Sequence, residues 1–174
     1  MRTTTRIVFW TTIVSIIGLT LYYFYPEQKL PADKKIDTIV VFKSKRKLLA
    51  YAGNQLLKTY TISLGAAPAG HKEYEGDNKT PEGTYTIYDK NPHSTCHKNL
   101  GISYPNKADI AHAKKIGKPA GGAIKIHGIS NGLGFIGKFH RWFDWTSGCI
   151  ALTDQEMDEL YYAVKIGAKI EIKP

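Results

Sequence analysis

Apolar and polar positions alternate with three different periods along this chain. From Ile7 to Tyr25 nineteen residues run without a charge. At ~1.5 Å of rise per residue, a helix of that length covers the ~30 Å of hydrocarbon in a bilayer. Arg2 and Arg6 precede the run, Trp10 stands near its start, and Tyr22, Tyr23 and Tyr25 stand near its end. Basic residues before a span and aromatics at both interfaces predict a membrane anchor whose amino end stays in the cytoplasm. Bulky aromatics and Pro26, rather than small residues, follow the apolar core, which favours a retained anchor over a signal peptide cleaved near Ala32.

After a charged, proline-containing tether the period changes to two. Thr38 to Phe42, Lys47 to Tyr51 and Leu56 to Leu64 are rich in β-branched and aromatic residues, and turn residues at 44–46 and 52–54 separate them. They predict a β-meander. A Gly- and Pro-rich stretch over 65–83 reads as loop, and further strands follow at Thr84 to Tyr88, Leu100 to Ser103 and Ala123 to His127. The third period is helical. A short helix is expected from Asn106, as its cap, to Lys115. The clearest helix opens with the capping box Thr153 and Glu156, presents Met157, Leu160, Tyr161 and Val164 on one face, and stops at Gly167. A last strand is expected at Lys169 to Ile172. The fold class is mainly β, a sandwich or barrel-like body with two or three short helices, preceded by a transmembrane helix. The chain divides into an anchor over 1–26, a linker over 27–36 and a body over 37–174.

A length of 174 residues suits one such body and is too short for two. The balance of 24 Lys and Arg against 15 Asp and Glu, +9 overall, favours anionic partners such as lipid or acidic envelope polymers. The lysines are scattered and no nucleic-acid motif accompanies them, so nucleic acid is not expected as a partner.

Candidate chemistry is confined to a few residues. Cys149 lies in Thr146-Ser147-Gly148-Cys149, where small residues before the thiol let a substrate approach the backbone and let amide N–H groups face a developing oxyanion. A nucleophilic thiol needs a base, and His127, followed by Gly128 at the end of an expected strand, supplies an imidazole. Two other readings of the cysteines stay open: an inert buried thiol, and a Cys96–Cys149 disulfide on the oxidising side of a membrane. His93, Cys96 and His97 form an H-x-x-C-H cluster, but no matching second ligand pair is present, so neither a metal nor another cofactor is expected.

His127-Gly128 followed by Thr146-Ser147-Gly148-Cys149 resembles the signature of the L,D-transpeptidase catalytic domain family, the YkuD-type fold. The resemblance extends to IVVFKSKRKLLAY, GDNKTPEGTYTIYDKNPHS, LGISYPNKAD and GGAIKIHG, and DWT before the Ser-Gly-Cys with IALT after it is similar to the YafK-type branch of Gram-negative bacteria. It implies a peptidoglycan-modifying cysteine enzyme on the periplasmic face of the bacterial inner membrane. By that resemblance Cys149 attacks the diaminopimelate carbonyl of a stem peptide, His127 accepts and returns the proton, and the N–H groups of Gly148 and Cys149 hold the oxyanion. The thioester then passes to an amine: another stem peptide, a lipoprotein lysine or a D-amino acid. A hydrolase of the same fold, which cleaves peptidoglycan peptide or peptidoglycan–lipoprotein links, is the alternative. A non-catalytic peptidoglycan-binding module is the second.

Ser147 stands where the commoner signature has histidine, and Ala151 where it has arginine, so the partner of a substrate carboxylate is in question. Arg141 is a substitute cation or a solvated loop residue. Asp144 orients His127, binds a substrate ammonium group, or caps its own loop. By their positions in the family pattern Ser94, His97 and Tyr104 line the cleft together with Thr146, Ser147 and Gly128.

Overall fold

In the computed structural model, which describes residues 2–174, a first helix α1 (Arg2–Phe24) stands before an eight-stranded sheet. α1 is long and apolar enough to cross a membrane, a property that an anchor and a signal sequence share.

The strands are β1 (Ile36–Phe42), β2 (Lys47–Ala52), β3 (Gln55–Thr61), β4 (Gly83–Asn91), β5 (Asn99–Ile102), β6 (Lys125–His127), β7 (Ile150–Ala151) and β8 (Val164–Lys173). Their spatial order is β3-β2-β1-β8-β4-β5-β6-β7. Most neighbours are antiparallel, but β1 runs parallel to β8 and β6 parallel to β7. β4 turns the sheet: its first half pairs with β8 and its second with β5, across a register shift between Ile87 and Asp89. The curl then closes on itself. Beyond β3 the chain continues to Ser63, which exchanges both backbone hydrogen bonds with Ala151 of β7, at 3.0 and 2.8 Å. The barrel-like character expected from the sequence is this closure.

Alternation explains what lies inside. Ile39 and Val41 of β1, Leu48 and Ala50 of β2, and Ile170 and Ile172 of β8 point inward and are fully or almost fully buried. Helix α2 (Lys107–Lys115) carries the expected Asn106 cap, completed by Asp109. Helix α3 (Asp154–Ala163) opens on the Thr153–Glu156 capping box and buries Met157 and Leu160 against the sheet.

Gly167 does not end α3. The helix stops at Ala163, Val164 already belongs to β8, and Gly167 sits inside that strand with φ of 84°. The pairing with β1 steps there from Ile36–Val164 to Thr38–Lys169, so the glycine absorbs extra residues in the strand. Val164 is buried as a strand residue rather than on the helix face. A 3-10 helix over Gly134–Trp142, kinked at Gly137, was not expected.

Candidate active site

β6 and β7 lie parallel, with Ile126 opposite Ile150 and His127 opposite Ala151. Both isoleucines are wholly buried in the core. Side chains alternate across a strand, so His127 and Ala151 share the other face. Carried back two residues, the register brings Lys125 and Cys149 to that same face. His127 and Cys149 are therefore diagonal neighbours on one face of the β6–β7 pair.

The imidazole is held by its own chain. His127 Nδ1 lies 2.6 Å from the Gly128 carbonyl. A carbonyl only accepts, so Nδ1 carries the proton and Nε2 keeps its lone pair. The ring meets Trp145 edge-on at 5.7 Å, and Trp145 in turn meets His140. Gly128 is required for space: a Cβ there would lie 2.6 Å from Asp154 Oδ1 and 2.8 Å from the His97 Cβ. Asp154, at the start of α3, accepts the Ile129 N–H at 2.8 Å and ties the loop after His127 to that helix.

Cys149 hangs from a tight turn. Thr146 Oγ1 donates to the Cys149 carbonyl at 2.7 Å and accepts the Gly148 N–H at 3.1 Å. Gly148 has φ of 128°, and a Cβ on it would lie 2.6 Å from the Lys79 carbonyl. Only glycine lets the Lys79 carbonyl pack directly against the turn that carries Cys149. The thiol donates weakly to the Ala123 carbonyl at 3.8 Å, and Cys149 as a whole is half-buried. Burial raises the Cys149 thiol above its ordinary range, with the charge of Lys125 pulling the other way; burial likewise lowers His127. At neutral pH the two rest as neutral thiol and neutral imidazole.

The remaining expected site residues divide sharply. Ser147 is exposed beside the thiol, while Thr146 is buried as the staple of the turn. Asp144 does not face His127. Its Oδ1 accepts the Leu64 N–H at 2.9 Å and its Oδ2 accepts from Arg46 at 2.7 Å, so it fastens the loop before Cys149 to the rest of the sheet. Arg141 is neither solvated nor free for substrate: its side chain is buried between Glu27 and Glu156, at 2.8 Å from each. Tyr104 is buried with its hydroxyl on the Ala120 carbonyl. His97 pairs with Asp158 at 2.8 Å, and the Ser94 hydroxyl accepts the Cys96 N–H. These three hold local structure rather than presenting free polar atoms to the thiol.

Both cysteines are free thiols. Cys96 is near enough for its charge to oppose ionisation of Cys149, and its own sulfur lies 3.7 Å from Ser130 Oγ. No group of three or more potential metal ligands occurs among the described residues. Sequence reasoning passed over Lys125, whose position two residues before His127 was the available signal, and Trp145.

The YkuD L,D-transpeptidase catalytic domain model matches residues 36–172. YafK of Escherichia coli K12 is 31% identical over 132 residues, which are 72% of this chain and 46% of that protein. The helical cell shape determining protein Pgp2 from Campylobacter jejuni superposes with a TM-score of 0.58 at 25% identity, over 82% of this chain and 49% of that one. Bd1075 of Bdellovibrio bacteriovorus shares the fold, with a TM-score of 0.56 at 23% identity over 83% of this chain and 50% of its own. This chain thus spans about half the length of these relatives. With nearly all of the sheet and both α2 and α3 inside the matched segment, the chain belongs to the YkuD family of L,D-transpeptidase catalytic domains.

Proposed function

We propose that this chain is a peptidoglycan-modifying cysteine acyltransferase with Cys149 as nucleophile and His127 as its base. The single observation that supports this reading is the β6–β7 register, by which His127, with Nε2 unprotonated, and Cys149 share the face opposite Ile126 and Ile150. The thiol proton passes to Nε2 as Sγ attacks the carbonyl of the diaminopimelate residue in a stem tetrapeptide. The tetrahedral oxyanion collapses, the peptide C–N bond breaks, and the same proton leaves on the amine of D-alanine. An acceptor amine then attacks the thioester, loses its proton to Nε2 and restores the thiol. With the Gly148 N–H turned to Thr146 Oγ1, the Cys149 N–H is the amide we assign to the oxyanion.

Neutral partners suit this route, since proton transfer accompanies attack and no thiolate has to be stored in a buried site. The apolar α1 supports an anchor in the inner membrane, with residues 27–36 as tether and 37–174 as the periplasmic catalytic body.

Full-length protein in detergent, incubated with purified sacculi, tests the reading through the fragments separated after muramidase digestion. New 3-3 crosslinked dimers, lost in Cys149→Ala, are the expected outcome. Released tripeptide or lipoprotein without new dimers would transfer the same thioester to water. Unchanged sacculi would overturn the enzyme in favour of a binding module.

A further inference from the structure

The 3-10 helix over Gly134–Trp142 and its flanks leave large apolar side chains exposed. Phe135 is 73% exposed, Trp142 60% and Phe143 63%, and Leu133 beside them is exposed as well. The active site uses none of them. What distinguishes this patch from scattered surface apolar residues is its neighbour, the carboxyl end of α1. Tyr22 packs on Phe139 at 5.7 Å and on Trp142 at 6.0 Å, and Tyr23 packs on Phe139 at 5.5 Å. The Tyr23 hydroxyl donates to the Phe135 carbonyl at 2.8 Å. Lys138 reaches back to the carbonyls of Tyr22 and Tyr25, and Glu27 pairs with both Lys138 and Arg141.

Aromatics at the end of a spanning helix sit at headgroup level, where an amphipathic ring has one wet and one dry side. An element in ring contact with Tyr22 and Tyr23 shares that depth. A short segment there that exposes Phe and Trp and carries Lys has the composition of one lying in the interfacial plane.

We propose that the 3-10 helix and its flanking residues Leu133 and Phe143 form a second membrane contact. Phe135, Trp142 and Phe143 insert at the outer-leaflet interface of the bilayer that α1 crosses. The inference rests on α1 being retained as a span. Because Phe143 is only six residues before Cys149, the contact holds the reactive groove close to the lipid surface and selects acyl donors near the membrane over those deep in the wall.

Full-length protein in vesicles of phosphatidylethanolamine and phosphatidylglycerol, with or without brominated acyl chains, tests this. Trp10→Phe removes the tryptophan inside the span. Subtracting the emission of Trp10→Phe/Trp142→Phe from that of Trp10→Phe isolates Trp142. Brominated lipid is expected to quench that difference emission by about twofold or more, and acrylamide to quench it poorly, as for a residue in the interface. Emission indifferent to bromine and freely quenched by acrylamide would overturn the proposal. So would emission shielded from both, which would mean that protein covers the patch. Extraction of the chain by alkaline carbonate would overturn the anchor and this contact together, whereas a chain that resists extraction with Trp142 unquenched overturns the contact alone.

Discussion

Asp144→Ala distinguishes a carboxylate that fastens a loop from one that serves the reaction. Its two oxygens are spent on the Leu64 N–H and on Arg46, and Leu64 is itself fully buried. Removal leaves a buried amide unpaired, which costs about 1–3 kcal/mol. The ion pair adds little, about 0–1 kcal/mol, because the Arg46 side chain is over a third exposed. Asp144→Ala should therefore lose about 1–4 kcal/mol in urea unfolding of the full-length protein in micelles, and Arg46→Ala no more than about 1 kcal/mol. Since the carboxylate touches neither His127 nor Cys149, the pH at which Cys149 becomes reactive to iodoacetamide should not move. Stability within about 0.5 kcal/mol of wild type, combined with a displaced pH of alkylation, would refute the argument and return Asp144 to the chemistry. Equal losses in Asp144→Ala and Arg46→Ala would instead place the stabilisation in the ion pair.

Alkylation of Cys149 should keep rising past pH 9, because burial holds the thiol above its ordinary value of 9.0, and Lys125→Met should push the rise higher still by removing a favourable charge; a plateau in the neutral range would indicate a thiolate–imidazolium pair. His140 is buried and titrates at about 4 rather than 6.5. The unfolded chain therefore takes up its proton first, and this group's stabilisation, whole above pH 6.5, is lost as pH falls toward 4. Between pH 7 and 4.5 the wild type should lose about 2–3 kcal/mol more than His140→Gln in urea unfolding, and equal losses would exclude His140 as the source. Arg141→Met strands the buried Glu156 carboxylate and should cost about 3–5 kcal/mol in the same measurement, part of it regained in Arg141→Met/Glu156→Met.

The sequence made legible those features whose cause is local. β-branched alternation placed the strands, and Thr153 and Asn106 announced their helices through side chains that bond within one turn. His127 and Cys149 stood out because few residue types can act as base and nucleophile. What stayed hidden depends on partners far along the chain. Asp144 is explained by Arg46, 98 residues away, and Arg141 by Glu27, 114 residues away. Gly167 was misread because a glycine after an apolar helical face looks like a stop, whereas here it serves a register step against β1. Lys125 went unremarked because its relation to Cys149 exists only once β6 and β7 pair.

The exchange of both backbone bonds between Ser63 and Ala151 has a consequence for how substrate enters. β7 has β6 on one flank and Ser63 on the other, so the strand behind the nucleophile offers no open rim. The stem peptide of the proposed reaction therefore has no free β7 rim on which to add as a further strand. On that reading selectivity rests on side-chain contacts rather than on main-chain pairing, so single replacements near Cys149 should retune the donor without disturbing the scaffold.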